Sequence, residues 1–367
     1  MSDRRSFLKN SAAGAVATGA LAAPAIVSAQ SPNVQWRLAS SFPKSLDTIF
    51  GGAETLSKRV AAATGGKFQI RVFAGGEIVP AFQVADAVGQ GTVECGHTAS
   101  YYYVGKHPAF AFDCALPFGM NARQQTAWMN DGGGLQLTRE FFKQFGFMNF
   151  AGGNTGCQMG GWFRKEVKSL ADVKGLKMRI PGFGGRVFAA MGAVPQQIPG
   201  GEIYQSLERG TIDAAEWIGP YDDEKLGLAK IAKFYYYPGW WEPAAQLSFY
   251  VNIKAWEALP AEYKAIFEAA CQEAHITMLA AYDAKNPAAL QRLVNSGAQL
   301  RGYPNDVMQA AYKAAMAIYD EESAKDAQFK KIYDPWTKFL RDQQRWFRVA
   351  EAGIDNFRPA AAPAAKK

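Results

Sequence analysis

A short pattern occurs twice in the chain and constrains its fold more than any other feature. Residues 88–94 (VGQGTVE) and 207–213 (LERGTID) each contain a glycine that ends a predicted helix, followed by Thr, a β-branched residue and an acid that begin a predicted strand. A strand and a Gly-Gly turn, at residues 75–76 and 184–185, precede each copy. This shared order of elements predicts two similar α/β lobes that meet at a cleft.

Strands and helices alternate along the first part of the chain. The residue patterns predict strands at 35–40, 67–73 and 92–97 and helices at 47–64 and 80–88. The alternation favours a mostly parallel sheet. We therefore predict an α/β fold with more than one core, since about 340 residues after a signal exceed what one core usually organises.

The C-terminal third is helical and rich in alanine. Breaks are predicted at Asn286-Pro287 and at residues 303–305, and the last long helix is predicted at 318–357. That helix carries an apolar face that must pack across both lobes or against a second subunit. The face consists of Phe329, Ile332, Tyr333, Trp336, Phe339, Leu340, Trp346 and Phe347.

The N-terminus is typical of an export signal. Arg4 and Arg5 precede a weakly apolar stretch at residues 11–26, and the small residues 27–29 predict cleavage after Ala29. Paired arginines favour the twin-arginine route, and hence the periplasm. The alternative, a membrane anchor, is disfavoured because the apolar run is short and rich in Gly and Ala.

Charge and composition exclude several classes of partner. The formal charge is +7, or +5 without the predicted signal, which favours anionic ligands. No Lys/Arg run resembles a nucleic-acid footprint, so no nucleic acid partner is predicted. The three histidines are scattered and offer no zinc or iron site. The four cysteines, Cys95, Cys114, Cys157 and Cys271, are predicted to be buried thiols, although one disulfide stays open.

Arg179 is the first candidate binding residue. In the strand around residues 176–180, Leu176, Met178 and Ile180 point one way and Arg179 the other. The strand ends in Pro-Gly, which places Arg179 near the carboxyl edge where open α/β sheets bind ligands. A guanidinium there can hold a carboxylate through two parallel hydrogen bonds. The alternative is a solvated strand arginine.

Two acids lie in apolar surroundings. Glu216 and Trp217 follow the second copy of the repeated pattern, and Glu242 follows a pair of tryptophans. Such acids are costly unless they are paired or bind a metal. They are therefore interpreted as metal ligands, as partners in salt bridges, or as the acid/base pair of an enzyme such as a glycoside hydrolase.

Two polar segments complete the candidate site. Residues 154–161 contain the amides Asn154 and Gln158, whose oxygens suit Na⁺ or Ca²⁺. Residues 98–103 bring three tyrosines after a predicted strand. Residues 182–187 (GFGGRV) partly match a dinucleotide fingerprint, which keeps a nucleotide-dependent oxidoreductase open as an alternative, but a glycine-permitted turn accounts for them equally.

The chain resembles the substrate-binding proteins of tripartite ATP-independent periplasmic (TRAP) transporters. The most specific matches are residues 168–181 (KSLADVKGLKMRIP) and 208–216 (ERGTIDAAE). Residues 154–158 (NTGCQ) and 215–220 (AEWIGP) resemble the branch that binds 2-oxo or 2-hydroxy monocarboxylates, such as pyruvate or lactate, with a cation. The resemblance implies a binding protein, not an enzyme, that delivers a small organic acid to the membrane subunits of a transporter.

The resemblance also implies roles for individual residues. Arg179 would clamp the substrate carboxylate, with Asn154 and Tyr102 as further hydrogen-bond partners. Gln158, Glu216, Glu242 and the Trp217 carbonyl would bind Na⁺ or Ca²⁺, and Gln158 would also lie against the substrate.

For the whole chain, the resemblance implies a two-lobed periplasmic binding protein fold with hinge strands and a long C-terminal helix that spans both lobes and can form a homodimer. The expected divisions are a signal at 1–29, lobe I at 33–152 plus about 244–285, lobe II at 153–243 plus about 286–317, the long helix at 318–357 and a disordered tail at 358–367.

Overall fold

The computed structural model describes residues 31–357. Its strands are β1 (Val34–Ser40), β2 (Phe68–Phe73), β3 (Cys95–Thr98), β4 (Phe147–Asn154), β5 (Trp162–Phe163), β6 (Lys177–Arg179), β7 (Val194–Gln196), β8 (Ala214–Ala215), β9 (Phe234–Tyr237), β10 (Gln246–Asn252) and β11 (Gln299–Gly302). Its α-helices are α1 (Ile49–Ala63), α2 (Val84–Gly89), α3 (Ala122–Asn130), α4 (Gly134–Lys143), α5 (Gly182–Ala190), α6 (Ile203–Glu208), α7 (Pro220–Leu226), α8 (Ile253–Glu257), α9 (Ala261–Asn295), α10 (Asn305–Lys325), α11 (Ala327–Ala350) and α12 (Ala352–Phe357). The predicted signal and the predicted tail lie outside the described residues.

The strands form two sheets, and each is the centre of one lobe. The sheet of lobe I has the order β2-β1-β3-β10-β4, in which β1 pairs parallel with β2 and β3, while β10 runs antiparallel to β3 and β4. The sheet of lobe II has the order β11-β9-β5-β8-β6-β7 and is parallel around β6. The α/β fold with two lobes agrees with the prediction.

The chain crosses between the two sheets three times. It passes from β4 to β5, returns from β9 to β10, and reaches lobe II again through α9 and β11. The first two crossings are hydrogen-bonded to each other, because the Thr155 N–H donates to the Ala245 carbonyl at 3.0 Å. These paired segments are the connection about which two lobes would move.

The repeated pattern occupies equivalent places in the two sheets. Each copy ends a short helix, α2 or α6, at a glycine with a positive φ, 75° at Gly91 and 71° at Gly210. Glycine adopts this conformation without steric cost. The strands that follow, β3 and β8, each lie parallel to an earlier strand of their sheet. They begin at Cys95 and Ala214, after the predicted Thr, because the residues between complete the turn out of the helix.

The predicted break at Asn286-Pro287 is wrong. Helix α9 is 35 residues long and continues through Pro287 to Asn295. Tyr282 and Ala289 are buried on either side of the proline, and the Asn286 side chain accepts a hydrogen bond from the Tyr221 N–H at 3.0 Å. Packing of the helix on both sides therefore outweighs the hydrogen bond that proline cannot make.

The long C-terminal helix α11 begins later than predicted. Residues 318–325 belong to α10, and the chain is extended at Asp326, whose side chain accepts a hydrogen bond from the Phe329 N–H at 2.7 Å. Such a cap starts a new helix. Helix α11 spans both lobes, since Phe329 contacts Phe112 of lobe I and Phe183 of lobe II.

All four cysteines are free thiols, and Cys95, Cys114 and Cys271 are buried. Cys157 is exposed, so the prediction of burial is wrong there. It lies in the first crossing between the sheets, where the chain leaves one core before it joins the next. Between residues 31 and 357, no helix combines the length and the apolar character that crossing a membrane requires.

Candidate functional site

Arg179 is the last residue of β6 and is almost completely buried. Its Nε donates to the Ile198 carbonyl at 3.0 Å, and its Nη1 donates to both the carbonyl and the carboxylate of Glu216. The guanidinium lies over the ring of Trp217, 5.1 Å from the centroid. Its Nη2 has no hydrogen-bond partner among the residues described. Arg179 is therefore held in place while both N–H groups of Nη2 lack a partner there.

Glu216 reaches this position because β8 lies beside β6, with Ala215 opposite Arg179. Burial raises the pKa of Glu216, Arg179 opposes that shift, and the nearby Asp223 adds to it. Burial alone would lower the pKa of Arg179, but Glu216, Tyr102, Tyr101 and Glu242 together outweigh it and raise that pKa. Glu216 Oε2 is a buried acceptor without a partner in the described part of the chain.

Glu242 comes to the same place from the second crossing between the sheets. Its Oε2 accepts a hydrogen bond from the Tyr101 hydroxyl at 3.3 Å. Burial raises its pKa strongly, the neighbouring charge of Glu216 raises it further, and Arg179 opposes both. Two buried carboxyl groups that repel each other are costly unless a positive charge lies between them.

Asn154 is the last residue of β4, Gln158 lies on the first crossing, and each has one side-chain polar atom left without a partner in the residues described. The Asn154 side-chain oxygen accepts from the Gly156 N–H at 2.9 Å, which leaves its Nδ2 as a donor. The Gln158 Nε2 donates to the Thr155 hydroxyl at 2.9 Å, which leaves its Oε1 as an acceptor. Neither remaining atom has a partner within residues 31–357.

The three consecutive tyrosines have different surroundings. Tyr101 contacts Glu242, and Tyr103 turns inward, where its hydroxyl lies 3.0 Å from the Thr98 hydroxyl. Tyr102 is buried between Phe82 and Tyr101. Burial raises the pKa of Tyr102, and the charge of Arg179 opposes this, which places Tyr102 near the guanidinium. Hydrogen bonds and charge interactions thus group Arg179 and Glu216 with the Trp217 ring, Glu242, Gln158 and Tyr102, and add Tyr101. The hydrogen bond described for Asn154 is to Gly156 instead, and the roles of all these residues stay predictions.

Sequence reasoning missed two buried acids, Asp222 and Asp223, that hydrogen-bond the loop carrying Trp217. The Trp217 indole N–H donates to Asp222 at 3.3 Å, and the Tyr282 hydroxyl donates to the same carboxylate at 2.7 Å. The Ile218 N–H donates to Asp223 at 3.3 Å. These bonds fix the loop after β8. The available signal was two adjacent acids at 222–223, separated by one residue from the Gly-Pro of residues 219–220.

The glycines of residues 182–187 serve packing. A Cβ at Gly182 would lie 3.1 Å from Cβ of Tyr101, and one at Gly184 would lie 3.0 Å from Cβ of Trp241. Helix α5 therefore begins against side chains of the site, which accounts for the partial dinucleotide match without a nucleotide.

The site as a whole offers free donors beside free acceptors. Arg179 Nη2 and Asn154 Nδ2 can donate hydrogen bonds to an anion, while Glu216 Oε2 and Gln158 Oε1 can coordinate a cation. All of these acceptors are hard oxygen atoms. In the described part of the chain, no group of three or more His, Cys, Asp and Glu residues is arranged to hold a metal. The chemistry present fits a hard cation bound by two carboxylates and neutral oxygens.

Two α/β lobes with a buried charged cluster between them define a ligand-binding protein. The chain belongs to the bacterial extracellular solute-binding proteins, family 7, whose model matches residues 39–326. The family predicted from the sequence motifs is thereby confirmed. The prediction of a binding protein is confirmed with it, and the glycosidase and oxidoreductase alternatives are not supported.

Relatives are similar over nearly their whole length. The chain is 54% identical over 359 residues, 96% of this chain and 98% of the relative, to a monocarboxylate 2-oxoacid-binding periplasmic protein of Nostoc sp. (strain PCC 7120). It is also similar to a TRAP transporter solute-binding protein from Bordetella bronchiseptica RB50, a mixed-occupancy dimer with copurified calcium and picolinate in an active site (TM-score 0.88, 56% identity, 89% of this chain and 97% of that chain). A third relative, from Pseudoalteromonas atlantica T6c, holds sodium and pyruvate (TM-score 0.85, 39% identity, 88% of this chain and 99% of that chain).

Proposed function

We propose that this chain is the extracytoplasmic solute-binding subunit of a TRAP transporter and binds a small 2-oxo or 2-hydroxy carboxylate, of the size of pyruvate or lactate, together with Na⁺ or Ca²⁺. The observation that carries the proposal is the set of buried polar atoms that lack a partner within residues 31–357, which are the donors Arg179 Nη2 and Asn154 Nδ2 and the acceptors Glu216 Oε2 and Gln158 Oε1. The names of the Nostoc, Bordetella and Pseudoalteromonas relatives support the same ligand class.

In the proposed site, Arg179 and Asn154 bind the substrate carboxylate through Nη2 and Nδ2, and Tyr102 lies against the substrate. Gln158, Glu216, Glu242 and the Trp217 carbonyl bind the cation, and Gln158 also lies beside the substrate. A bound cation supplies the positive charge that offsets both carboxylates. The residues themselves orient the anion and exclude water from it, since all six side chains are buried.

Binding would be coupled to closure of the lobes. We infer that residues 33–152 plus about 244–285 move as lobe I and residues 153–243 plus about 286–317 as lobe II. The assignment is supported by the strands of each sheet and by the hydrogen bonds between Thr155 and Ala245 where the chain crosses. A ligand that contacts both lobes stabilises the closed form by its differential affinity.

We further propose export by the twin-arginine route, delivery of the solute to the transporter's membrane subunits, and a homodimer formed through the C-terminal helix. The end of that helix supports the dimer, because Trp346, Val349 and Phe357 are exposed apolar side chains. Trp346→Asp combined with Val349→Asp is expected to convert a dimer into a folded monomer in light scattering. A dimer that survives both substitutions would contradict this interface.

A thermal-shift experiment on the chain without residues 1–29, stripped of metal, tests the proposed ligand. Pyruvate or lactate with Na⁺ or Ca²⁺ is expected to raise the melting temperature, since a ligand stabilises the state that binds it. Arg179→Lys should lose the rise because a lysine cannot reproduce the fork of donors, whereas Arg37→Lys, at an exposed ion pair with Glu94, should keep it. Stabilisation by sugars or dicarboxylates without any cation would contradict the proposed site.

A further inference from the structure

Thr155 stands where the two crossings between the lobes meet and is buried. Its N–H donates to the Ala245 carbonyl at 3.0 Å, and the Ala245 N–H donates to its hydroxyl oxygen at 3.0 Å. The residue follows β4 directly and lies three positions before Gln158. It therefore contacts both the connection between the lobes and the proposed cation site.

The hydroxyl of Thr155 already makes all the hydrogen bonds that a hydroxyl can make. It donates its single hydrogen to the Gly156 carbonyl at 3.1 Å. It accepts from the Ala245 N–H and from Gln158 Nε2 at 2.9 Å. A hydroxyl has one hydrogen to donate and two lone pairs to accept with, so all three are used.

This arrangement decides which end of the Gln158 amide faces the site. The oxygen of Thr155 has no hydrogen to offer a second acceptor, so the amide must point its nitrogen at Thr155. The Gln158 oxygen is then the atom left over, buried and without a partner in the described residues. A reversed amide would place its oxygen against the oxygen of Thr155.

We propose that Thr155 is a positioning residue: its hydroxyl makes Gln158 present an oxygen to the cation and links that oxygen to the connection between the lobes. The inference rests on the proposed cation site and adds to it the group that orients one ligand. Cation affinity should therefore depend on a side chain that does not touch the cation.

Calorimetric titrations of pyruvate at several calcium concentrations test this proposal. Thr155→Val removes the hydroxyl at nearly constant shape, and Thr155→Ala removes it without placing a methyl group against the Ala245 N–H. At least one of them, checked by circular dichroism for native folding, is expected to raise the calcium concentration for half-maximal pyruvate binding about tenfold, the effect of one lost hydrogen bond. Thr155→Ser, which keeps the hydroxyl, should restore the requirement to within about twofold.

A double-mutant cycle with Gln158→Met separates positioning from a purely structural role. If Thr155 acts through Gln158, removing its hydroxyl should add almost nothing once the amide is gone. Additive losses, or an unchanged calcium requirement in every one of the two variants, Thr155→Val and Thr155→Ala, that folds natively, would overturn the proposal. Wild-type protein that binds pyruvate without any cation would instead overturn the cation site on which it rests.

Discussion

At the scale of single residues, the buried acids distinguish what sequence reasoning can find from what it cannot. Arg179, Glu216 and Glu242 were identifiable because each stands at the end of a predicted strand or among tryptophans. Asp113 was not, since its partners Asn149 and Ser248 come from strands that only the fold brings near, at 2.7 and 2.6 Å. Thr155 was equally hidden, because its role depends on Ala245, 90 positions away.

Asp113 gives a prediction about pH. Burial raises its pKa to about 7, while hydrogen bonds from Ser248 and Asn149 limit the rise. An unfolded Asp titrates near 4, so between about pH 4 and 7 the folded chain keeps a proton that the unfolded chain loses. The contribution of Asp113 to the free energy of unfolding therefore falls as pH rises through this window and is constant above it.

Asp113→Asn should remove that dependence. Between about pH 4 and 7 the wild type should lose stability relative to the variant. The free energy of unfolding of the variant minus that of the wild type is expected to rise by a few kcal/mol over this range. Urea unfolding at several pH values measures it. Asp131→Asn, at an exposed position, serves as the control and should show no such trend; parallel curves for Asp113→Asn and wild type would refute the assignment.

At the scale of elements, periodicity located the helices but not all of their ends. The pattern of α11 identified the side chains that now pack on lobe I, while Asp326, a single extended residue, decided where that helix starts. At Pro287 the error was the reverse: the sequence predicted a helix end where the helix continues. Local propensity is weak beside tertiary packing, and the burial of Tyr282 and Ala289 could not be seen before the lobes were assembled.

The packed part of α11 should contribute strongly to stability. Trp336 is buried against Phe112, with ring centroids 5.9 Å apart, and against Gly119. Trp336→Ala is expected to lower the free energy of unfolding by about 3–5 kcal/mol, because the remaining cavity can collapse only in part. Gln344→Ala, exposed on the same helix, should change it by less than about 0.5 kcal/mol. Equal denaturation midpoints for the two variants would contradict this packing.

At the scale of the whole molecule, charged contacts join the lobes at some distance from the buried site. Asp47 precedes α1 in lobe I and forms an ion pair with Lys225 of α7 in lobe II. A second ion pair joins it to Lys285 of α9, which belongs to lobe I in the proposed division. The Tyr221 hydroxyl donates to the same carboxylate at 3.1 Å. Although burial opposes it, hydrogen bonding to Lys225 and Tyr221 lowers the pKa of Asp47. In the proposed closure, this attraction would favour the present form over one with separated lobes.

Asp47→Asn should therefore weaken ligand binding, although the side chain at position 47 does not contact the proposed ligand site. We expect the Kd for pyruvate, measured by calorimetry at fixed calcium, to rise about two- to fivefold, since exposed ion pairs are individually weak. Choline chloride should reduce the difference by screening, while sodium stays constant. Glu273→Gln breaks the ion pair with Arg59 of α1, away from Asp47, and should leave the Kd unchanged. An Asp47→Asn protein with wild-type affinity would exclude this contribution to closure.

The path of the chain between the sheets also decides the order in which the molecule can be completed. Strand β10 lies between β3 and β4, but it is synthesised after β5 to β9. Until residue 252 has emerged from the ribosome, β3 presents an unpaired edge and β4 has no partner strand. Exposed edges invite aggregation. Lobe II likewise lacks β11 until α9 has been made. Neither lobe can therefore mature as an independent early product, and a nascent chain must remain protected for most of its synthesis.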